Sequence, residues 1–261
     1  MKSIVTYREA DGGIINFEAH TSLKSTLELA RYYATEKNFP DRYVVYSDRL
    51  RRAKTSNSEV ELETESGIFM SCILRPSIFP SQAAFLNAMS AAATVAALEE
   101  HTDADIGIGW VSDIYCDGVK IGGISIEGKL DNFTTYEYII VTFTLKTTKE
   151  NFPPRLTDMI RKVFESENTS VNMIIARNIL SKFFKLYANL KTPSKFMSEY
   201  THKFALRGKK VKYFRDDKWH SHRVLGVDAN TGALIIDNGI KPDIHVTSPA
   251  LVSTPKKIKQ K

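Results

Sequence analysis

The sequence predicts an α+β protein, a mixed central sheet with packed helices, followed by a small C-terminal β-barrel. Three observations predict it. Buried-strand runs such as "YVVYS" and "IFMSCILRP" interleave with stretches of helical period through roughly the first 200 residues. Beyond about residue 203 the helical period gives way to short strands and turns. The composition, 43% hydrophobic and 25% charged over 261 residues, suits a globular chain with one large unit and one small. The division expected is 1–203 and 204–261.

In chain order, Ser25 and Glu28 have the spacing of a capping box, which opens a helix over 25–37 with Ala30, Tyr33 and Ala34 on one face. Residues 43–47 form a short buried strand. The polar stretch "DRLRRAKTSNSEVELETESG" (48–67) reads as a long loop or a ragged hairpin. Residues 68–76 form a strand ended by Arg75-Pro76. Ser81 is placed to cap a helix over 82–101, whose stripe of Phe85, Met89, Ala92, Ala93 and Ala96 packs on the sheet. "IGIGWVSDIYCDGVKIGGISIEG" gives two strands around an Asp117-Gly118 turn. Residues 136–146 are another strand. Pro153 and Pro154 lead to a helix near 155–165, and Ser170 caps a helix over 171–189. The tail from about 204 has turns at Asp216-Asp217, Asn230-Thr231-Gly232 and Asn238-Gly239, giving about five strands and a barrel of SH3-like size.

Composition excludes some classes of function. No apolar run reaches the roughly 18 residues of a membrane span, and "MKSIVTYREADGG" lacks the apolar core of a secretory signal. Cys72 and Cys116 match no metal or redox spacing, so a cytoplasmic protein with buried thiols is expected. Of the net charge of +6, four units are Lys256, Lys257, Lys259 and Lys261, read as a solvated tail rather than a nucleic-acid arm. His220 and His222 alternate on a strand, but no third ligand accompanies them, so no metal site is assigned.

Lys120 is the conspicuous residue, a cation between a Trp110–Asp113 box and a Gly122-Gly123 step. In isolation it is an exposed hairpin lysine. The order of segments around it resembles the biotin protein ligases, within the biotin/lipoate ligase superfamily. "TSLKSTLELARYYA" is similar to the family's Ser-Thr helix start, and "GIFMSCILRP" to its Gly-Leu-Tyr-x-Ser strand. "GWVSD" resembles Lys-Trp-Pro-Asn-Asp, "KIGGISIE" resembles Lys-x-x-Gly-Ile-x-x-Glu, and "LGVDANTGALII" resembles the Gly-Ile-Asp…Gly-x-Leu turn of its C-terminal barrel. The likeness runs from about residue 20 to 253.

The resemblance implies activation of biotin with ATP to biotinyl-AMP, then transfer to a lysine of a biotin carboxyl carrier domain. Lys120 would be the catalytic cation. Ser25, Thr26, Trp110, Gly122 and Gly123 would hold biotin, and Arg49, Arg51, Arg52 and Asp113 the nucleotide and its phosphates. Biotin, ATP and Mg²⁺ are the implied small molecules. A homodimer is compatible with the family, and neither DNA nor membrane is an implied partner. Only about 20 residues precede the first helix, too few for a helix-turn-helix module.

The sequence also departs from the family. Its Gly-Arg-Gly-Arg-x-Gly-Arg loop becomes "SDRLRRAKTSNSEVEL", which keeps cations, including Lys54, but has no glycine before Gly67. Gly109, Val111 and Ser112 replace lysine, proline and asparagine of the box. Lys146 replaces the asparagine of Gly-Ile-Gly-Ile-Asn, and a lysine is no Mg²⁺ ligand. Three functions therefore stay open: a biotin–carrier-protein ligase, a ligase-fold binding or interaction protein without catalysis, and an acyltransferase or ligase for lipoate or octanoate. For the ligase, Lys120, Trp110, Thr26 and the basic residues of 49–54 are expected to line one cavity.

Overall fold

The computed structural model describes residues 2–9, 12–56, 59–131, 135–147, 171–239 and 242–258, with side chains at all of these except 52–56, 59–65, 81 and 84. A hairpin of β1 (Lys2–Arg8) and β2 (Ile14–His20) opens the chain and α1 (Thr26–Thr35) follows. A longer hairpin, β3 (Tyr43–Ser56) and β4 (Glu59–Leu74), leads to α2 (Pro80–Glu99). Next come β5 (Ile106–Gly109), β6 (Asp113–Cys116), β7 (Val119–Leu130) and β8 (Tyr136–Lys146). Two helices, α3 (Val171–Tyr187) and α4 (Ser194–His202), precede β9 (Lys210–Arg215), β10 (Lys218–Val227), β11 (Leu234–Ile236), β12 (Ile244–Val246) and β13 (Val252–Ser253).

The first eight strands make one sheet in the order β1-β2-β3-β4-β8-β7-β6-β5. It is mixed: β2 and β3 run parallel and the other neighbours antiparallel. One face is covered by α1, whose Ala30 and Ala34 pack on Val45, Ile73 and Ile140. The other face carries α2, with α3 and α4 against it. Layering on both sides explains the alanines of α2. Ala88, Ala91, Ala92, Ala93 and Ala97 are all buried, so the helix is a core element on most of its circumference rather than one stripe. Small side chains let α2 approach its neighbours closely.

A buried carboxylate fixes α1 to the sheet edge. Glu18 on β2 is fully buried, and four groups surround it: Tyr43 donates to it at 2.5 Å, Tyr33 of α1 at 3.0 Å, Lys2 at 3.0 Å, and His20 Nε2 lies 2.6 Å away. Burial pushes this carboxyl up, but the hydrogen bonds from Tyr43, His20, Lys2 and Tyr33 outweigh it and hold it below the ordinary glutamate value. The hairpin β1–β2 and helix α4 were not expected from the sequence.

The structure decides several expectations. Of the two readings of 48–67, a long loop or a ragged hairpin, the hairpin holds: β3 and β4 pair without interruption from Arg49↔Ser66 to Ser56↔Glu59, after a register shift at Ser47/Arg49. The alternation of Glu59, Glu61, Glu63 and Glu65 with Val60 and Leu62 is the period of a strand. Ser81 does not cap α2, which starts at Pro80 with Phe79 as its N-cap; the Phe79 amide bonds to Gln82 Oε1 at 3.1 Å. The Ser25 cap is present, with the Glu28 amide donating to its hydroxyl at 3.1 Å. Asp117 and Gly118 both have positive φ, the geometry of a tight hairpin turn. The helix expected near 155–165 and the Ser170 cap lie outside the described residues.

The C-terminal unit expected as a small barrel of SH3-like size has the expected five strands. Its five strands form a sheet in the order β12-β11-β10-β9-β13, and no pairing of β12 with β13 closes it among the described residues. The two edge strands have three and two residues.

Replacing Glu18 with Gln should lower stability at pH 7 by about 2 kcal/mol, a fall in Tm of roughly 4–8 °C for a chain of this size. Because the folded carboxyl titrates below its unfolded value, the wild-type advantage should shrink as pH falls through that depressed pKa. Equal melting midpoints at pH 7 would remove Glu18 from this role. Cys72 and Cys116 are fully buried, and burial pushes both thiols up, Cys116 to about 12. A maleimide should therefore label neither until the protein is unfolded.

Candidate functional site

The face of the large sheet beneath α1 carries a polar track, set by strand register. Ser71 of β4 pairs with Thr142 of β8, and Thr142 with Ser125 of β7. One step along, Phe69 pairs with Thr144, Thr144 with Gly123, and Gly123 with Asp113 of β6. Alternating strand positions share a face, so these residues line one side. Thr26, the first residue of α1, closes down on one end of the track. The Ser71 hydroxyl lies 2.9 Å from both Thr26 Oγ1 and Thr142 Oγ1, and all three residues are buried.

Lys120 stands at the other end. Its ammonium lies 2.7 Å from Asp113 Oδ1, with about a third of the side chain exposed. The second oxygen, Oδ2, accepts from the Thr254 hydroxyl at 2.8 Å. The segment containing Thr254 runs past the β6–β7 hairpin as a strap. The Lys120 amide donates to Lys256 O at 3.0 Å, the Ile258 amide donates to Gly118 O at 2.7 Å, and the Tyr115 hydroxyl bonds to Pro255 O. A hollow of about 430 Å³ opens here, lined among others by Trp110, Asp113, Lys120, Ile126, Pro249 and Thr254. An ion pair this exposed on its lysine side contributes only ~0–1 kcal/mol.

Trp110 is nearly buried and its indole N–H donates to Gly232 O at 2.9 Å, so it joins the site to the C-terminal sheet. Gly122 is required by packing, and Gly123 sits in a tight space. A Cβ on Gly122 would lie 1.9 Å from Thr144 O, and one on Gly123 3.2 Å from Ser112 O and 3.3 Å from Asp113 Oδ1. Their missing side chains make room for β8 and Asp113.

The expected single cavity is not what the fold forms. Lys120, Trp110 and Asp113 share a hollow; Thr26 is drawn shut against Ser71, and Ser25 is occupied as a helix cap. Arg49 lines a separate hollow of about 400 Å³ with Thr21, Asp48, Ser66 and Asn172. Arg51 is exposed, and its amide donates to Leu23 O at 2.8 Å. Arg52 is opposite Glu63 in register and Lys54 opposite Glu61; their side chains lie outside the described residues. Unbroken pairing of β3 with β4 holds these cations on a ribbon, where a glycine-rich loop would be free to fold over a ligand.

Sequence reasoning missed Ser71, Thr142 and Thr254. Ser71 lies in a quoted motif, and Thr142 and Thr144 alternate in "VTFTLK", so both were legible as one-sided hydroxyls. Thr254 carried no signal. His220 and His222 do share a side, with rings 6.4 Å apart, but His222 Nδ1 lies 2.8 Å from Asp237 O, and no group of three metal-binding side chains occurs among the described residues.

Comparison with known proteins gives this geometry a setting. Residues 59–144 match the model of the Biotin/lipoate A/B protein ligase family. The chain is 27% identical over 176 residues to the bifunctional ligase/repressor BirA of Bacillus subtilis, a match covering 66% of this chain and 54% of BirA. It thus spans about half the length of the curated relatives it matches. In fold it is similar to biotin protein ligase from Aquifex aeolicus, solved with biotin and ATP, with a TM-score of 0.61, 19% identity, and coverage of 91% of this chain and 97% of that one. It is equally similar to a biotin protein ligase-like protein of unknown function from Silicibacter sp. TM1040, with a TM-score of 0.61, 14% identity, and coverage of 89% and 94%.

Deleting residues 254–261 should free the Lys120 amide. Hydrogen exchange across 113–124 is expected to accelerate at least about tenfold, as for an amide released from a stable hydrogen bond. Unchanged protection would show that the strap does not hold the hairpin.

Proposed function

We propose, on the premise that this chain belongs to the biotin/lipoate A/B protein ligase family through residues 59–144, that it activates biotin with ATP and passes the acyl group to a lysine of a carrier domain. Residues 1–203 would be the ligase-like unit and 204–261 the C-terminal unit. The observation that carries the reading is the Lys120 ammonium at the edge of the 430 Å³ hollow, paired with a carboxylate that a substrate oxyanion can displace.

A carboxylate is a poor electrophile, so the acyl carbon must first gain a leaving group. In the proposed reaction a biotin carboxylate oxygen attacks the α-phosphorus of ATP, giving biotinyl-AMP and pyrophosphate. The carrier lysine amine then attacks the acyl carbon, and AMP leaves. Both steps gather negative charge on oxygens between acyl group and phosphate, where a fixed cation lowers the barrier. Lys120 supplies that cation, and Asp113, braced by Thr254, orients it. Trp110 would wall the biotin side of the hollow. Thr26 and Ser71 would offer hydroxyls to the ureido group once parted from each other. Arg49 and Arg51 lie on β3 beside Leu23, just ahead of α1, and would meet the polyphosphate.

The residues offer Mg²⁺ no cage of their own: no three His, Cys, Asp or Glu gather among the described residues, and both Asp113 oxygens are engaged. Mg²⁺ would therefore come with the polyphosphate, the common mode for this ion. A second reading, a binding protein that keeps the fold without the chemistry, is favoured by the closed Thr26–Ser71–Thr142 contact and by the regular β3–β4 ribbon.

Calorimetry with biotin, with ATP and with both, alongside pyrophosphate release, separates the two. Cooperative binding with release supports the ligase. Biotin bound without a response to ATP supports the binding protein, and binding of neither sinks the ligase. Lys120→Ala should lower turnover at least about tenfold, since a charge at a developing oxyanion contributes a few kcal/mol. Unchanged turnover would take Lys120 out of the mechanism.

A further inference from the structure

The net charge of the protein lies in its last 58 residues. Positions 204–261 hold 12 Lys and Arg against five Asp and Glu, which leaves 24 against 25 in the first 203. Only four of the 12 are the terminal lysines. Much of the rest is on the β9–β10 hairpin, and its register sorts the residues by face.

Val211, Tyr213, His222 and Val224 alternate onto the inner side, where Val211 and Val224 are buried. The outer side carries Lys210 opposite Arg223, Lys212 opposite Ser221, and Phe214 opposite Trp219, with Leu225 beyond. Trp219 is 51% exposed, and its ring lies 5.2 Å from that of Phe214. Lys210, Lys212 and Arg223 are exposed, and among the described residues none of them has an ion-pair partner. Acidic residues border this face rather than interrupt it: Asp216 and Asp217 make the hairpin turn, where Asp216 pairs with Arg215, and Asp237 donates its amide to Arg223 O at 2.9 Å. Lys212 is two residues from Phe214, about 7 Å along the strand, and Lys210 is the same distance further on.

We propose that the outer face of the β9–β10 hairpin binds single-stranded nucleic acid, with Phe214 and Trp219 stacking on bases and Lys210, Lys212 and Arg223 neutralising the adjoining phosphates. Any stretch of bases presents π-faces to flat rings and an anion at each sugar step, which suits a strip of rings next to regularly spaced cations. An acidic protein surface would satisfy the cations but would leave the exposed Trp219 ring and the partly exposed Phe214 ring without a matching partner. The hairpin is separate from the Lys120 hollow, so this inference does not depend on the ligase reading.

The test uses the full chain with labelled 12-residue oligo(U) and oligo(dT), and with poly-glutamate of equal charge as the control. Either oligonucleotide should bind more tightly than poly-glutamate, weaken steeply with salt, and quench Trp219 emission, Trp110 being nearly buried. Which of the two binds better identifies the preferred strand chemistry. Trp219→Ala should weaken oligonucleotide binding about tenfold, the size of one lost stack, and Trp219→Phe should restore most of it. Neither variant should alter poly-glutamate binding, and K210E/K212E should weaken both ligands. Unchanged melting of each variant shows that the fold is intact. Oligonucleotide binding no tighter than poly-glutamate, or indifferent to Trp219→Ala without quenching in the wild type, overturns the proposal.

Discussion

Asp113 gives one oxygen to the Lys120 ammonium and the other to the Thr254 hydroxyl, and the two halves of the sequence meet on that carboxylate. A lysine on a hairpin would otherwise sample many rotamers, and the entropy of ordering it would be charged against any ligand it met. With its amide held by Lys256 and its ammonium by Asp113, Lys120 is fixed at both ends before a ligand arrives. The pairing is firm in position and weak in energy, because a third of the side chain faces solvent.

The sheet supplies the remaining order. Register alone brings Ser71, Thr142 and Ser125 into one row and Thr144, Gly123 and Asp113 into the next. The buried Glu18 cluster pins α1 through Tyr33, and α1 in turn seats Thr26 on Ser71. The cost of that seating is a closed contact, since hydroxyls bonded to one another must separate before they can serve a ligand.

The β3–β4 ribbon sets this protein apart from a ligase with a glycine-rich loop. Glycines allow the backbone conformations in which successive amides surround a phosphate. A continuous ladder turns those amides to the partner strand instead. Any phosphate held here would therefore meet side chains rather than a cradle of main-chain amides.

Much of the scaffold was legible from local chemistry. The Ser25 cap, the Asp117-Gly118 turn and the strand over 136–146 depend on residues near each other in sequence, and short-range geometry is what sequence patterns encode. The strand character of 59–66 was legible too, in the alternation of glutamate with valine and leucine, but high polarity masked it. The surroundings of Lys120 were not legible. Thr254 and Lys256 reach it across more than a hundred residues, and Trp110 bonds to Gly232 across a similar gap. The sequence by itself determined which residues carry charge, hydroxyls and turn geometry. Which of them share a hollow was decided by tertiary structure alone, because strand register and the path of the tail are set by packing over the whole chain.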